Sequence, residues 1–261
     1  MNRPRIMGVV NVTPDSFSDG GAYLDPSAAV AHGLQLVRDG ADILDVGGEA
    51  TNPKATPVAA EVELARILPV VRQLVAAGAT VSIDTTKAAV AREAVAAGAT
   101  IVNDVSGGLF DPQMAATICE LAGVTYICGH LRGRSLPEVF ASEGALDWHQ
   151  VVSDLAVRIA HVPADRTWVD PGIGFGKGAD GETNLALLRH AGDIGRALDR
   201  PVVVGPSRKR FLRRLAGSDD PVVVDVASVA ACLGGVRAGA QIVRTHNVAL
   251  LEAALAVYTK L

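Results

Sequence analysis

Gly78-Ala-Thr-Val-Ser-Ile-Asp-Thr-Thr-Lys-Ala-Ala-Val-Ala-Arg-Glu-Ala-Val-Ala-Ala-Gly-Ala-Thr-Ile-Val-Asn-Asp104 holds one full structural period of the chain. It opens on a glycine able to end a helix in the left-handed conformation. Within two residues comes a β-branched run, Thr80 to Asp84, that closes on a carboxylate. Lys87 to Ala97 then carries apolar residues at helical spacing among good helix formers, and Gly98-Ala99 restarts the cycle with the run Thr100 to Val105. This is a β-strand followed by an α-helix, with no linker between units.

The pattern recurs in both directions. Further candidate strands are Ile6 to Val12, Asp42 to Val46, Val124 to Cys128, Thr167 to Asp170, Pro201 to Val204 and Gln241 to Thr245, making eight with the two above. Gly40-Ala41, Gly123-Val124 and Gly239-Ala240 repeat the helix-stop signal, and Ser27 to Asp39, Ala59 to Ala77 and Leu185 to Leu198 repeat the helical one. The 261 residues contain no Pro/Ser/Gly-rich linker, so we expect one domain, residues 1–261. Eight βα units in that length match an α/β class fold, a single (β/α)8 TIM barrel, with a doubly wound open sheet as the runner-up. The barrel is favoured by where the polar residues fall. Nearly every apolar run ends on them: Asn11, Asp45 with Glu49, Asp84, Asn103-Asp104, His130, Asp170, Ser207-Arg208-Lys209, and Arg244 with His246. One such residue is explained as a helix cap, as Asp84 before Thr85 would be. Eight clusters converging on the C-terminal mouth of the strands describe an active site.

Composition narrows the function. Lys and Arg number 24 against 28 Asp and Glu, a formal charge of −4, and the cations are scattered except at Arg208 to Arg214, so neither nucleic acid nor a membrane surface is expected as a partner. Val222 to Val236 is apolar but contains Asp225 and falls short of a membrane span. The segment MNRPRIMGVV lacks an apolar export region, which points to the cytoplasm. Cys119, Cys128 and Cys232 lie far apart among apolar residues and read as small buried side chains.

The mouth carries both signs of charge. Asp84, Asn103 and Asp170 with Lys209 suit a flat heterocycle bearing amide and amino groups, while Arg208, Lys209, Arg244 and His246 suit an anion. The glycine-rich run Asp170 to Gly178 fits neither phosphate-loop nor dinucleotide spacing and reads as a flexible loop that brings backbone close to a planar ligand. Gly-x-Ser-x-Gly and His-Glu-x-x-His are absent, and His32, His149, His161 and His190 fall in helical stretches.

Met7-Gly-Val-Val-Asn-Val-Thr-Pro-Asp-Ser-Phe-Ser-Asp-Gly-Gly21, Asp45-Val-Gly-Gly-Glu49, Ser82-Ile-Asp-Thr85, Asn103-Asp-Val-Ser-Gly107, Asp170 to Lys177, Ser207-Arg-Lys209 and Arg244-Thr-His246 closely resemble the dihydropteroate synthase family, in order and at matching spacing from Ile6 to about Asn247. The resemblance implies a pterin-binding TIM barrel, a transferase of folate biosynthesis that joins dihydropterin pyrophosphate to p-aminobenzoate with Mg²⁺ and is the target of sulfonamides. It implies that Asp84, Asn103, Asp170 and Lys209 hold the pterin. Asn11, Arg244 and His246 would hold the pyrophosphate, with Asn11 near the Mg²⁺, and Asp19 would steady the developing pterin cation. Thr51, Pro53, Phe175, Ser207 and Arg208 would surround p-aminobenzoate, and the family implies a homodimer.

The chain departs from the family pattern at Ala50, Asn52 and Lys54 in the loop after the second strand, at Pro206, at Asn247 where Asp is usual, and at Gly129 where a Met commonly packs on the pterin. These changes spare the pterin and anion sets and fall mainly on the acceptor side. Two other readings share the pterin acids: a pterin-binding paralog without synthase activity, and a corrinoid-type methyltransferase, which the Ser207-Arg-Lys209 and Arg244-x-His246 sets disfavour.

Overall fold

The computed structural model describes residues 3–13, 26–51, 56–141, 144, 146–178 and 181–261. Its strands are β1 (Arg5–Asn11), β2 (Ile43–Gly47), β3 (Val81–Asp84), β4 (Ile101–Asp104), β5 (Thr125–Gly129), β6 (Thr167–Asp170), β7 (Val203–Val204) and β8 (Ile242–Thr245). They run in the order β6-β5-β4-β3-β2-β1-β8-β7, every pair parallel. The ring closes between β6 and β7 through a single bridge, Val169 with Val202, where the Val169 N–H donates to the Pro201 carbonyl at 2.9 Å. Pro201 has no N–H to offer the ladder, which is why β7 is shorter than the run that begins there. The open-sheet alternative is excluded by this closure.

The helices of the outer ring, among the described residues, are α1 (Pro26–Arg38), α2 (Ala60–Ala76), α3 (Ala88–Ala96), α4 (Met114–Glu120), α5 (Leu136–Ala141), α6 (Trp148–Ile159), α7 (Glu182–Arg189), α8 (Ala191–Leu198), α9 (Arg210–Ala216), α10 (Pro221–Arg237) and α11 (Val248–Tyr258). The glycine stops act as expected: Gly40, Gly78, Gly98, Gly123 and Gly239 all have positive φ. At Gly98 its N–H donates to the Val95 carbonyl and the Ala99 N–H to the Ala94 carbonyl, the paired bonds that satisfy a helix end before the next strand starts. The helix expected over Leu185 to Leu198 is broken at His190 into α7 and α8. The cause is Gly192, whose N–H donates to the Ala238 carbonyl at 2.8 Å instead of to its own helix, an approach a Cβ would block at 2.3 Å.

Side chains alternate across the barrel wall. Ile6, Val10, Leu44, Val46, Val102 and Val243 point outward into the core shared with the helices. Met7, Ile43, Ile101, Ile127, Val203 and Ile242 point inward and, with Trp168, form an apolar plug. Two residues further along the strands the inward positions become polar: Asp45, Asp84, Asn103, Asp170 and Arg244. One end of the barrel is thus sealed, and the other is charged.

Alternation also corrects two expectations. Asp104, next to the inward Asn103, faces out and accepts bonds from the Ser106 N–H and hydroxyl, the Gly108 N–H and the Tyr126 hydroxyl. His130 is buried and contacts Asp154 on α6 at 3.0 Å; burial pushes its imidazole down to about 3. Neither joins the mouth. Of the cysteines, Cys128 and Cys232 are buried as expected, whereas Cys119 is exposed on α4.

Candidate active site

A cavity of about 360 Å³ opens at the C-terminal ends of the strands. Its lining includes Asn11 and Thr51, Asp84 from β3, Phe175 from the loop after β6, Ser207, Arg208 and Lys209 before α9, and Arg244 and His246 at β8. Asn103 and Asp170, expected with them, are not among its lining residues: Asn103 turns its amide to Asp45, and Asp170 accepts the Gly172 N–H at 2.7 Å while feeling the charges of Lys209 and Arg244. Asp19 and Pro53, and the departures at Asn52 and Lys54, lie outside the described residues.

The floor is an ion cluster built from residues of β2, β3, β4 and β8 that point into the barrel. Arg244 donates from Nε to Asp45 Oδ2 at 2.6 Å and from Nη2 to Asp84 Oδ2 at 2.8 Å. Asn103 Nδ2 donates to the same Asp45 oxygen at 2.9 Å, while Asp45 Oδ1, fully buried, has no protein partner. Burial pushes the Asp84 carboxyl up to about 7 against the pull of Arg244, and burial likewise raises Asp170. Burial opposes the charge of Arg244 too, yet Asp45 and Asp84 hold it above its ordinary value. In the sequence Asp45 is one strand-end acid among several. Its importance follows from Arg244, 199 positions away.

Lys209 and His246 complete the wall. Lys209 Nζ stands 3.8 Å from the centre of the Phe175 ring, and burial lowers it to about 8, with Arg244 acting in the same sense and Asp170 and Asp84 against it. His246 Nδ1 lies 3.0 Å from Ser207 Oγ, and burial, reinforced by Arg244, Arg208 and Lys209, drives its pKa to about 3. It is therefore neutral at pH 7, with one ring N–H to donate. Arg208 is turned to Asp225, which it holds with two bonds of 2.7 and 2.9 Å.

Some of the described residues at the rim are pinned. Lys87 donates to Glu49 and to the buried Glu63, both at 2.6 Å, and Glu49 also accepts the Val58 N–H at 2.9 Å. The glycine-rich loop, expected to be flexible, is stapled from inside. Lys177 is buried and donates to the carbonyls of His130 and Phe175, and Asn184 accepts the Gly174 N–H at 2.7 Å. Burial lowers Lys177 to about 7. The lysine's place in a glycine run gave no sign of this, because its partners are backbone groups. At Gly129, a Cβ would lie 2.5 Å from the Val105 carbonyl oxygen, so no side chain fits there.

Residues 7–246 match the family described as pterin binding enzyme. The chain is 46% identical over 225 residues to a dihydropteroate synthase of Mycobacterium leprae, covering 84% of this chain and 78% of that one. Among solved structures it is similar to the Xanthomonas albilineans dihydropteroate synthase with 4-aminobenzoic acid, at 42% identity and a TM-score of 0.89 over 99% of this chain and 93% of that one. The same enzyme in complex with 7,8-dihydropteroate gives 41% identity and a TM-score of 0.84, over 99% and 94% of the two chains. Against the bifunctional folate-synthesis proteins of plants, the chain spans about half the relative's length. A closed barrel with a charged C-terminal mouth, matched along nearly its whole length, belongs to the dihydropteroate synthases of the pterin-binding enzyme family.

Proposed function

We propose that this chain condenses 6-hydroxymethyl-7,8-dihydropterin pyrophosphate with p-aminobenzoate to give 7,8-dihydropteroate and pyrophosphate. The observation that carries the reading is the meeting in the mouth of the Asp84 carboxylate with the cations Arg244 and Lys209, with Phe175 and Ser207 beside them and Asp170 within reach of both cations' charges. A pterin presents N–H donors along one edge and ring acceptors along another. Asp84, Asp170 and Asn103 take the donor edge, and Lys209, set against Phe175, takes an acceptor. Arg244 and the neutral His246 then meet the pyrophosphate, and Thr51, Phe175 and Ser207 flank the aryl amine, with the Arg208 guanidinium turned back to Asp225 behind them.

In this reading the bond from the pterin methylene carbon to the pyrophosphate oxygen breaks, and its electron pair leaves with pyrophosphate. The amine nitrogen forms the new bond to that carbon and loses a proton to solvent. Arg244 stabilises the charge that grows on the leaving group, in a pocket where water does little screening. Asn11 stands exposed at the end of β1, and no cluster of three His, Cys, Asp or Glu gathers into a metal cage among the described residues. That donor set suits Mg²⁺, which binds through substrate phosphates, water and one or two protein oxygens. Asn11 would hold it, and the ion would supply positive charge to the pyrophosphate. The test is to incubate purified protein with both substrates and Mg²⁺ and to measure dihydropteroate and pyrophosphate together. Pterin binding without product favours the non-synthase paralog.

The chain acts as a homodimer in this proposal. A shallow apolar groove between α7, α9 and α10 is lined by Leu185, Leu188, Leu212 and Leu215, and Leu215 is 56% exposed. Light scattering on the eluting protein checks it, and a monomer at micromolar concentration overturns it. No described helix is long and apolar enough to cross a membrane. Free thiols at Cys119, Cys128 and Cys232 suit the reducing cytoplasm we propose for it, which cell fractionation tests.

A further inference from the structure

Ser207 and Lys209 both face the mouth, and the residue between them adopts a backbone conformation that side chains resist. Arg208 has φ +59, one of two non-glycine residues with positive φ among those described. Such strain persists only where surrounding contacts over-determine it. Here they come from two helices behind the site. The Arg208 N–H donates to Ser228 Oγ at 2.9 Å, and the Ser228 hydroxyl donates onward to the Val224 carbonyl at 2.7 Å, so the serine is oriented to accept. The Arg208 guanidinium lies along Asp225, Nε to Oδ1 at 2.7 Å and Nη2 to Oδ2 at 2.9 Å. Asn247 Nδ2 donates to that same Oδ2 at 2.9 Å, while Asn247 Oδ1 accepts the Leu250 N–H at 3.1 Å and caps α11. Asp225 and Ser228 are buried on α10.

We infer that Asp225, Ser228 and Asn247 are positioning residues that clasp Arg208 in its left-handed conformation and thereby set Ser207 and Lys209 in the active site. The inference rests on the proposed synthase reading. Arg208 contributes through the shape it imposes, since its charge is already met by Asp225. Asn247 has a specific part: its amide both donates to Asp225 and accepts from Leu250, whereas an ionised carboxylate there could only accept and would face a second carboxylate. The acceptor side depends on the clasp most, because Lys209 is held independently against Phe175 and over Gly174.

The test is an Asp225→Ala variant, with and without Arg208→Gly, beside Asn247→Asp. Asp225→Ala and Asn247→Asp raise KM for p-aminobenzoate about tenfold, while pterin affinity by calorimetry moves less than about threefold. Glycine takes positive φ without strain, so adding Arg208→Gly to Asp225→Ala recovers threefold or more of the lost KM. An absence of recovery, or an equal loss of pterin affinity, overturns the clasp. Hydrogen exchange at the 207–210 amides reads it without turnover: exchange is faster in Asp225→Ala and Ser228→Ala than in the native chain. Unchanged exchange overturns the clasp even if the enzyme is active, and an inactive native protein with the exchange difference overturns the synthase reading alone.

Discussion

Arg244 stands between Asp45, fully buried, and Asp84, largely buried at the cavity wall, and much of the site's behaviour follows from that triad. Removing the guanidinium leaves Asp45 and Asp84 buried and facing one another, and breaking a buried pair costs about 3–5 kcal/mol. Arg244→Ala therefore lowers the unfolding free energy, read from urea denaturation, by an amount in that range as well as abolishing turnover, and a variant as stable as the parent would remove the triad from the fold's foundations. Asp84 behaves in the opposite way. Its carboxyl titrates near 7 in the folded chain, above its unfolded value, so its contribution is fully present below about pH 4 and is lost as pH rises through 7. Asp84→Asn relieves the buried charge. We expect its melting point at pH 8 to rise by roughly 2–4 °C, about 1 kcal/mol, while pterin affinity falls tenfold or more. A lower melting point at pH 8 would mean that the bond to Arg244 outweighs burial.

At the scale of the elements, the repeated helix stop is a stable motif with two different surroundings. Gly78 has φ +83 and open space around a would-be Cβ, whereas at Gly98, φ +108, that Cβ would meet Val75 Cγ1 at 2.7 Å. Alanine at Gly78 carries only backbone strain, about 1–2 kcal/mol. Alanine at Gly98 adds overpacking, a further 1–3 kcal/mol or so. Denaturant midpoints of the two variants at equal m-value separate these costs, and equal losses would show that α2 gives way without resistance. The sequence reads such stops correctly because their bonds span five residues or fewer. It reads the split at His190 wrongly because the competing acceptor, the Ala238 carbonyl, comes from the far end of α10.

Across the whole molecule the mouth is a region of stored electrostatic cost. Lys177 and Lys209 are lowered by burial to about 7 and about 8, so on unfolding they regain protons, and the stability they contribute is present above the unfolded value near 10.5 and lost as pH falls through 8 and 7. The unliganded protein therefore gains stability from pH 7 to 8.5, by up to roughly 1.4 kcal/mol per pH unit for each lysine. Thermal melts across that window check the slope, and Lys209→Met flattens it. A flat profile in the native chain would show both ammonium groups to be better compensated than their burial allows.

The amino-acid sequence by itself determined the eight βα periods, the glycine stops and the polar strand ends, because each rests on hydrogen bonds and side-chain periods confined to a few neighbouring residues. Only the tertiary structure decided which of two adjacent polar residues faces the mouth. Asn103 and Asp104 are both strand-end polar groups, and the closed barrel turns one inward to Asp45 and the other outward to Tyr126. Burial makes the same choice for Lys177, hidden under a glycine run, and for His130, withdrawn from the site. The Arg244 clasp on Asp45 and Asp84 and the Arg208 clasp on Asp225 join residues that the chain keeps 199, 160 and 17 positions apart. Such pairs form when the barrel sets β8 beside β1 and α10 behind the mouth, which buries Asp45 fully and Asp225 largely while leaving Arg208 partly in solvent.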